Sequence, residues 1–436
     1  MHRTTISFVL LTFVAVLLNN TAFGQGSDGS NWPQWRGSKW DSISQDRSLP
    51  ADLSREKNLL WRTAMPGPAG SSPVVWGNTV FVTSVDVDSI VLLSIGESGE
   101  IKWKKTLDGR NETLRMDRAN LASPSPMTDG EYVWATSGAG VLHCFDFMGN
   151  EKWKVDLQDR YGKFDIQFGM STSPILYNNR IYMQLIEGSM RSKEPESAQI
   201  ICLDASTGDE VWNHERKSDA QMENKHSYAS PTIFDNGERQ FLLAHGGDYL
   251  TAHALDDGHE LFRVGGMNPE ESYNPFLRFV SSPVCDSKQI IVPTAKSGPV
   301  LSVRPDLSGD QGADTSALFW TLDRGTPDVA SPVLAGGFVY LCRETGLFAV
   351  LDAESGEEVF NERLFADKHR STPVVVNNRL YVVDRKGDLF AIEGGKVPRV
   401  LTTISLGEET TASPAIAGGR LYVRTFDALY AFGNKK

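Results

Sequence analysis

The stretch Ser173-Pro174-Ile175-Leu176-Tyr177-Asn178-Asn179-Arg180-Ile181-Tyr182-Met183-Gln184-Leu185-Ile186 reads as two short strands joined by a two-residue turn. Proline is tolerated as the first residue of a strand, where no N–H has to be given to the ladder. Both asparagines accept the positive φ that a tight hairpin requires. Downstream, Gln199 to Leu203 forms a third strand and Asp204-Ala205-Ser206-Thr207-Gly208 turns the chain back. Glu210-Val211-Trp212 then opens a fourth strand on the outside of the unit.

The same punctuation occurs eight times. Ser-Pro or Thr-Pro pairs place prolines at Pro73, Pro126, Pro174, Pro231, Pro283, Pro332, Pro373 and Pro414, 41 to 57 residues apart, the period of a repeat architecture. Two-residue turns recur at Gly77-Asn78, Gly336-Gly337, Asn377-Asn378 and Gly418-Gly419. A glycine followed four residues later by a large ring recurs at Gly99/Trp103, Gly149/Trp153, Gly208/Trp212, Gly258/Phe262 and Gly356/Phe360. One large ring per unit, at Trp61, Trp103, Trp153, Trp212, Phe262, Trp320 and Phe360, is placed to wedge between neighbouring units. The competing reading is a ring of stacking platforms for ligands. The last unit ends after three strands, while Leu59-Leu60-Trp61-Arg62-Thr63 looks like a fourth strand with no unit before it. Pairing the two removes open sheet edges. The expected fold is all-β: an eight-bladed β-propeller of four-stranded antiparallel blades, closed by the N-terminal strand around a solvent-filled axis. Its expected divisions are a signal peptide at 1–24, a lead segment at 25–57 packing on the propeller, and the propeller at 58–436.

His2, Arg3, the apolar run Ile6 to Leu18 and Ala22-Phe23-Gly24 make up the signal-peptide pattern, with cleavage expected after Gly24. The apolar run has 13 residues, too few to span a bilayer. The expected location is therefore periplasmic or extracellular, with no transmembrane span in the mature chain. Net charge is −12, from 43 Lys and Arg against 55 Asp and Glu, with both signs interspersed. That pattern argues against a nucleic-acid partner, which needs a concentrated basic face. Cys144, Cys202, Cys285 and Cys342 are scattered among strands, and equivalent positions on adjacent blades lie beyond disulfide reach, so free thiols are expected.

The segment Cys202-Leu203-Asp204-Ala205-Ser206-Thr207-Gly208-Asp209-Glu210-Val211-Trp212 resembles the tryptophan-docking repeat of quinoprotein propellers, Ala-x-Asp-x-x-Thr-Gly-x-x-x-Trp. Leu351-Asp352-Ala353-Glu354-Ser355-Gly356 to Phe360 is a looser copy. The chain is similar to the PQQ-like repeat propellers, a superfamily that includes PQQ dehydrogenases and the outer-membrane assembly protein BamB. Its opening, Asn31-Trp32-Pro33-Gln34-Trp35-Arg36-Gly37, is similar to that of exported propellers from planctomycete-like bacteria. The resemblance implies two functions of different classes. One is a non-catalytic, BamB-like binding or scaffold protein. The other is a PQQ-dependent alcohol or sugar dehydrogenase, which would require PQQ with calcium. A quinoprotein of this kind commonly has an adjacent Cys-Cys disulfide against the cofactor, which this sequence lacks. It also lacks Cys-x-x-Cys-His, Gly-x-Ser-x-Gly and His-Glu-x-x-His. No catalytic residue and no metal ligand is assigned, and binding is the preferred reading.

A binding site is expected where loops gather on a rigid scaffold. Connections from one outer strand to the next inner strand share one face, and the first four are long. They end in polar and aromatic strings that supply Arg118, Asn120, Gln167, His226, Tyr228, Asn274, Arg278, Asp328, His369 and Arg370. These are the candidate residues for a protein partner or small-molecule ligand at the funnel mouth. Arg118, His226, Tyr228, Arg278 and Arg370 are expected to line one pocket. The alternative is that such residues bond one another and hold the loops still.

Overall fold

The computed structural model describes residues 29–107, 121–192 and 198–435, so the leader pattern lies outside the described residues. Each of these eight Ser-Pro or Thr-Pro pairs opens the innermost strand of one antiparallel sheet, and the eight sheets follow one another around a ring. Blades 1 to 7 span residues 74–107, 127–156, 175–216, 232–264, 284–322, 333–363 and 374–405. Blade 8 takes three strands from residues 415–433 and its outer strand, Leu59–Ala64, from the other end of the chain. Arg62 pairs with Tyr430, and Thr63 with Leu429. A single apolar cluster joins Val75 and Val80 of blade 1 to Tyr381 of blade 7 and Tyr422 and Tyr430 of blade 8, so the closing joint is packed like a core. The chain is an eight-bladed β-propeller. Blade 4 departs from the four-strand pattern: Gly309–Asp310, from the long third connection of blade 5, adds a parallel fifth strand beside Phe262 and Arg263.

Local chemistry explains the blade. Asn178 and Asn179 have φ of 49° and 58°, and the hairpin closes at the Tyr177–Arg180 pair. The wedging tryptophans make a more specific contact than apolar filling. Each docks on the glycine-bearing turn of the following blade, not on the glycine four residues upstream of itself. Trp153 lies against Gly208 and Trp212 against Gly258, where an added Cβ would come within 2.7 Å and 2.4 Å of the rings. The indole N–H groups of Trp61, Trp103, Trp153, Trp212 and Trp320 donate to Glu97 O, Phe147 O, Ala205 O, Leu255 O and Ala353 O at 2.8 to 3.1 Å. Phe262, which has no N–H to donate, packs edge-on against Phe241 within its own blade. Phe360 packs at the margin of a neighbouring cluster.

The residue before each proline builds the ring's inner wall. An inner strand has a sheet neighbour on one side only, so its axial N–H groups need other partners. Ser72 N–H donates to Ser125 Oγ, Ser125 to Ser173, Ser173 to Ser230, Ser230 to Ser282 and Ser282 to Ser331. Ser331 then donates to Thr372, Thr372 to Ser413, and Ser413 back to Ser72, all eight at 2.8 to 3.1 Å. Eight blades are thereby laced in a closed circle of hydrogen bonds.

The axis is not open throughout, a correction to the expected solvent-filled channel. The lead segment crosses it. Trp32 exchanges backbone bonds with Val75 of blade 1, and Pro33 O accepts from Thr128 of blade 2. The Gln34 amide brackets Leu176 of blade 3. The Arg36 guanidinium donates to Pro283 O and Pro332 O at 2.9 and 2.8 Å. Ser42 and Ser44 pair with Val375 of blade 7, and Ser44 Oγ donates to Ile416 O of blade 8.

Candidate functional site

Since every inner strand starts at the same end of the axis, two connections per blade face that end. One is the loop arriving from the preceding blade; the other is the turn between the second and third strands. Together they surround a funnel of about 510 Å³. Its lower wall carries all eight Ser and Thr residues of the hydrogen-bonded circle, and Trp35 of the lead segment also lines it. Higher up it is lined by Phe168, Tyr228, Arg278, Asp328, Arg370, Arg385, Glu409 and Phe426.

The charged groups form an ordered wall on the side of blades 4 to 8. Arg278 lies 3.2 Å from Glu223 and 3.8 Å from Asp328, with its guanidinium over the Phe168 ring. Lys296 bridges Asp328 at 3.1 Å and Glu344 at 3.6 Å. Arg385 pairs with Glu409 at 3.0 Å and lies over Phe426. Arg370 differs: no ion pair or hydrogen bond reaches its guanidinium among the described residues. It is exposed to the funnel, yet protein surrounds it on the concave wall. This partial burial, with Arg385 and Arg278 nearby and only Asp328 opposing them, holds its pKa below the usual guanidinium value. Its backbone is well fixed. The neighbouring His369 is fully buried against Phe365 and bridges Asp384, and Arg385 N–H donates to Lys368 O.

The candidates therefore separate. Tyr228, Arg278, Asp328 and Arg370 share the funnel. His226 does not line it: its ring is buried and bonded to Gly188 O at 2.9 Å. His369 is likewise withdrawn, an anchor beneath the wall. Both are corrections, because a neutral imidazole flanked by aromatic rings packs more favourably inside than a charged one. Asn274 serves its own loop: its N–H donates to Asn268 Oδ1 and its carbonyl accepts from Asn224 and Asn268. Gln167 is half-buried beside the funnel and is not among its lining residues. Arg118 and Asn120 lie outside the described residues. The single pocket of Arg118, His226, Tyr228, Arg278 and Arg370 thus becomes Tyr228, Arg278 and Arg370 with partners the sequence reading missed: Arg385, Glu409, Phe168, Phe426, Trp35 and the hydroxyl circle. Arg385 could have been found from Asp384-Arg385-Lys386-Gly387, a turn between second and third strands that faces the same way as the loops.

The funnel residues do not match a calcium–quinone centre. Calcium takes six to eight oxygen ligands, whereas Asp328 and Glu409 are engaged by arginine and lysine on different blades. No group of three or more His, Cys, Asp or Glu is placed to hold a metal among the described residues. All four cysteines are free, and burial pushes the thiols of Cys144, Cys202 and Cys285 up to about 12. No helix among the described residues is long and apolar enough to cross a membrane.

Comparison with known proteins is consistent with this architecture. No curated protein matches the sequence. Among solved structures, BamB from Moraxella catarrhalis superimposes with a TM-score of 0.60 at 13% identity, covering 86% of this chain and 97% of that one. The quinohemoprotein alcohol dehydrogenase from Comamonas testosteroni gives 0.69 at 14% identity, over 93% and 81%. A europium-containing methanol dehydrogenase gives 0.70 at 12%, over 93% and 98%. At such identities the likeness is one of fold. The family model described as outer membrane protein assembly factor BamB matches residues 97–261 and 309–425, and over that share of its length the chain belongs to this PQQ-like repeat family.

Proposed function

We propose that the protein is an exported, non-catalytic binding propeller that takes up a small ligand or a protein segment at its loop-rich funnel face. The observation that carries this reading is the state of the funnel's charged groups. Asp328 and Glu409 are held in ion pairs, while one guanidinium, Arg370, has no ion pair or hydrogen bond among the described residues and lines the same cavity as a ring of hydroxyls. Such a wall recognises; a general base or a calcium ligand set needs carboxylates with capacity to spare. The scaffold comparison with BamB fits a propeller that offers loops to another molecule, and export fits the leader pattern in the first 24 residues.

The test is direct. The purified mature chain is equilibrated with PQQ and calcium, then assayed for a cofactor spectrum and for alcohol- or sugar-dependent dye reduction. The expected result is no turnover. Substrate-dependent reduction would establish the dehydrogenase instead and overturn the proposal.

A further inference from the structure

Two features of the funnel keep binding capacity that holding the fold together does not use. The first is Arg370. Every other charged side chain along this wall has an oppositely charged neighbour within 4 Å: Arg278 with Glu223 and Asp328, Lys296 with Asp328 and Glu344, Arg385 with Glu409. Arg370 has no ion-pair partner among the described residues: Arg385 and Arg278 repel it, and the pull of Asp328 is weaker than the Arg385 repulsion. A planar guanidinium held on a tight backbone and lacking its anion is a binding element for a carboxylate or phosphate. Because one guanidinium is free, and the other two are already in ion pairs, a single negative charge fits this wall better than a dianion.

The second feature is the hydroxyl circle. Each of its eight oxygens already accepts one backbone N–H. The remaining capacity of each is its own proton and one lone pair. Among the described residues no acceptor is seen for any of those eight protons, and all eight residues line the cavity. A ligand reaching this depth meets polar partners on every side and an indole, Trp35, among the lining residues. The space, about 510 Å³, is within the range of small-molecule sites.

We infer that the funnel is a receptor for a hydroxylated monocarboxylic acid of the sugar-acid class, with the carboxylate on Arg370 and the hydroxyls toward the Ser72–Ser413 circle. This deepens the binding function proposed above and rests on it.

D-Glucuronate is the probe, with D-glucose and acetate as the arms lacking the charge and the hydroxyls respectively. Binding is followed by calorimetry and by tryptophan fluorescence. Glucuronate is expected to bind the wild type more tightly than either control and to weaken as salt is raised. Arg370→Gln is expected to weaken it about tenfold or more, the scale of one charge-assisted contact. Glucose binding should not respond to that substitution. The thermal midpoint should also be unchanged, because Arg370 has no ion pair or hydrogen bond to lose among the described residues. Absence of glucuronate binding, equal binding of glucuronate and glucose, or an unaffected Arg370→Gln variant would each overturn the inference. Acetate binding as tightly as glucuronate would overturn the part played by the hydroxyls. Loss of this inference with no PQQ turnover leaves the binding propeller standing, whereas PQQ turnover removes the proposed function itself.

Discussion

His369 shows how far one side chain can serve the site without entering it. It is 0% exposed, its ring centroid lies 4.0 Å from that of Phe365, and it precedes the funnel arginine. Burial lowers its pKa from 6.5 to about 4, so the folded chain keeps it neutral where the unfolded chain takes a proton. Stability from this residue is complete above pH 6.5 and is lost as pH falls toward 4, by about 3 kcal/mol over that window. His245 and His253, both lowered to about 3, act in the same direction. Replacing His369 with Leu, similar in volume and without a proton to gain, should remove its share. Urea unfolding at pH 7 and pH 4.5 is the check: the variant should lose about 2–3 kcal/mol less between the two than the wild type. An identical pH difference in both chains would mean the ring is not buried and neutral. At this scale the sequence was partly readable. His369 was visible at the mouth of a loop, but whether a histidine there points into the funnel or into the blade depends on Phe365 and Phe390, which only folding brings around it.

At the scale of the strand, the Ser-Pro and Thr-Pro pairs that mark the repeat also lace it. Proline fixes where each inner strand begins, and the hydroxyl before it receives the N–H that the neighbouring blade would otherwise leave unpaired. Ser230→Ala should therefore strand the Ser173 N–H inside the wall, costing about 1–3 kcal/mol. Ser230→Thr should cost much less, since Thr372 already fills the equivalent place on blade 7. Chemical denaturation of both variants checks this, and equal losses would show that packing, not the hydroxyl, sets the position. The strand pattern was legible because proline, paired asparagines and turn glycines act locally. The docking of tryptophans was legible only in part: Gly258 and Trp212 lie 46 places apart in the chain, and the regular spacing of each glycine from its own blade's ring concealed that its contact is with the preceding blade's ring. The fifth strand of blade 4 gave no signal, because Gly309–Asp310 is too short and too polar to stand out from a loop.

For the whole molecule, closure has two independent parts, and the sequence pointed to one of them. The pairing of Leu59–Ala64 with Ala428–Gly433 followed from counting strands. The second part is the lead segment, which behaves as a cross-tie: within fifteen residues it bonds to blades 1, 2, 3, 5, 6, 7 and 8. Its centre is Arg36, 3% exposed, with no carboxylate bonded to it and a pKa lowered by burial to about 10. A buried cation is costly unless its hydrogen bonds are well made, and Arg36 spends three on Pro283 O, Pro332 O and Ser42 Oγ. Arg36→Met keeps the length, removes the charge and leaves two carbonyls on adjacent blades without donors, for a loss of about 3 kcal/mol. If the segment ties the ring as a unit, the effect will not stay local. Hydrogen exchange should quicken at Leu176, whose N–H is held by Gln34, and at Val375, whose N–H is held by Ser42. The N–H groups of Ser173 and Thr372 in the hydroxyl circle should stay protected, because those bonds run between blades and do not involve the segment. Faster exchange at the blade 5 and 6 contacts alone would reduce Arg36 to a local staple; faster exchange in the circle as well would mean that the circle cannot close without the tie beneath it.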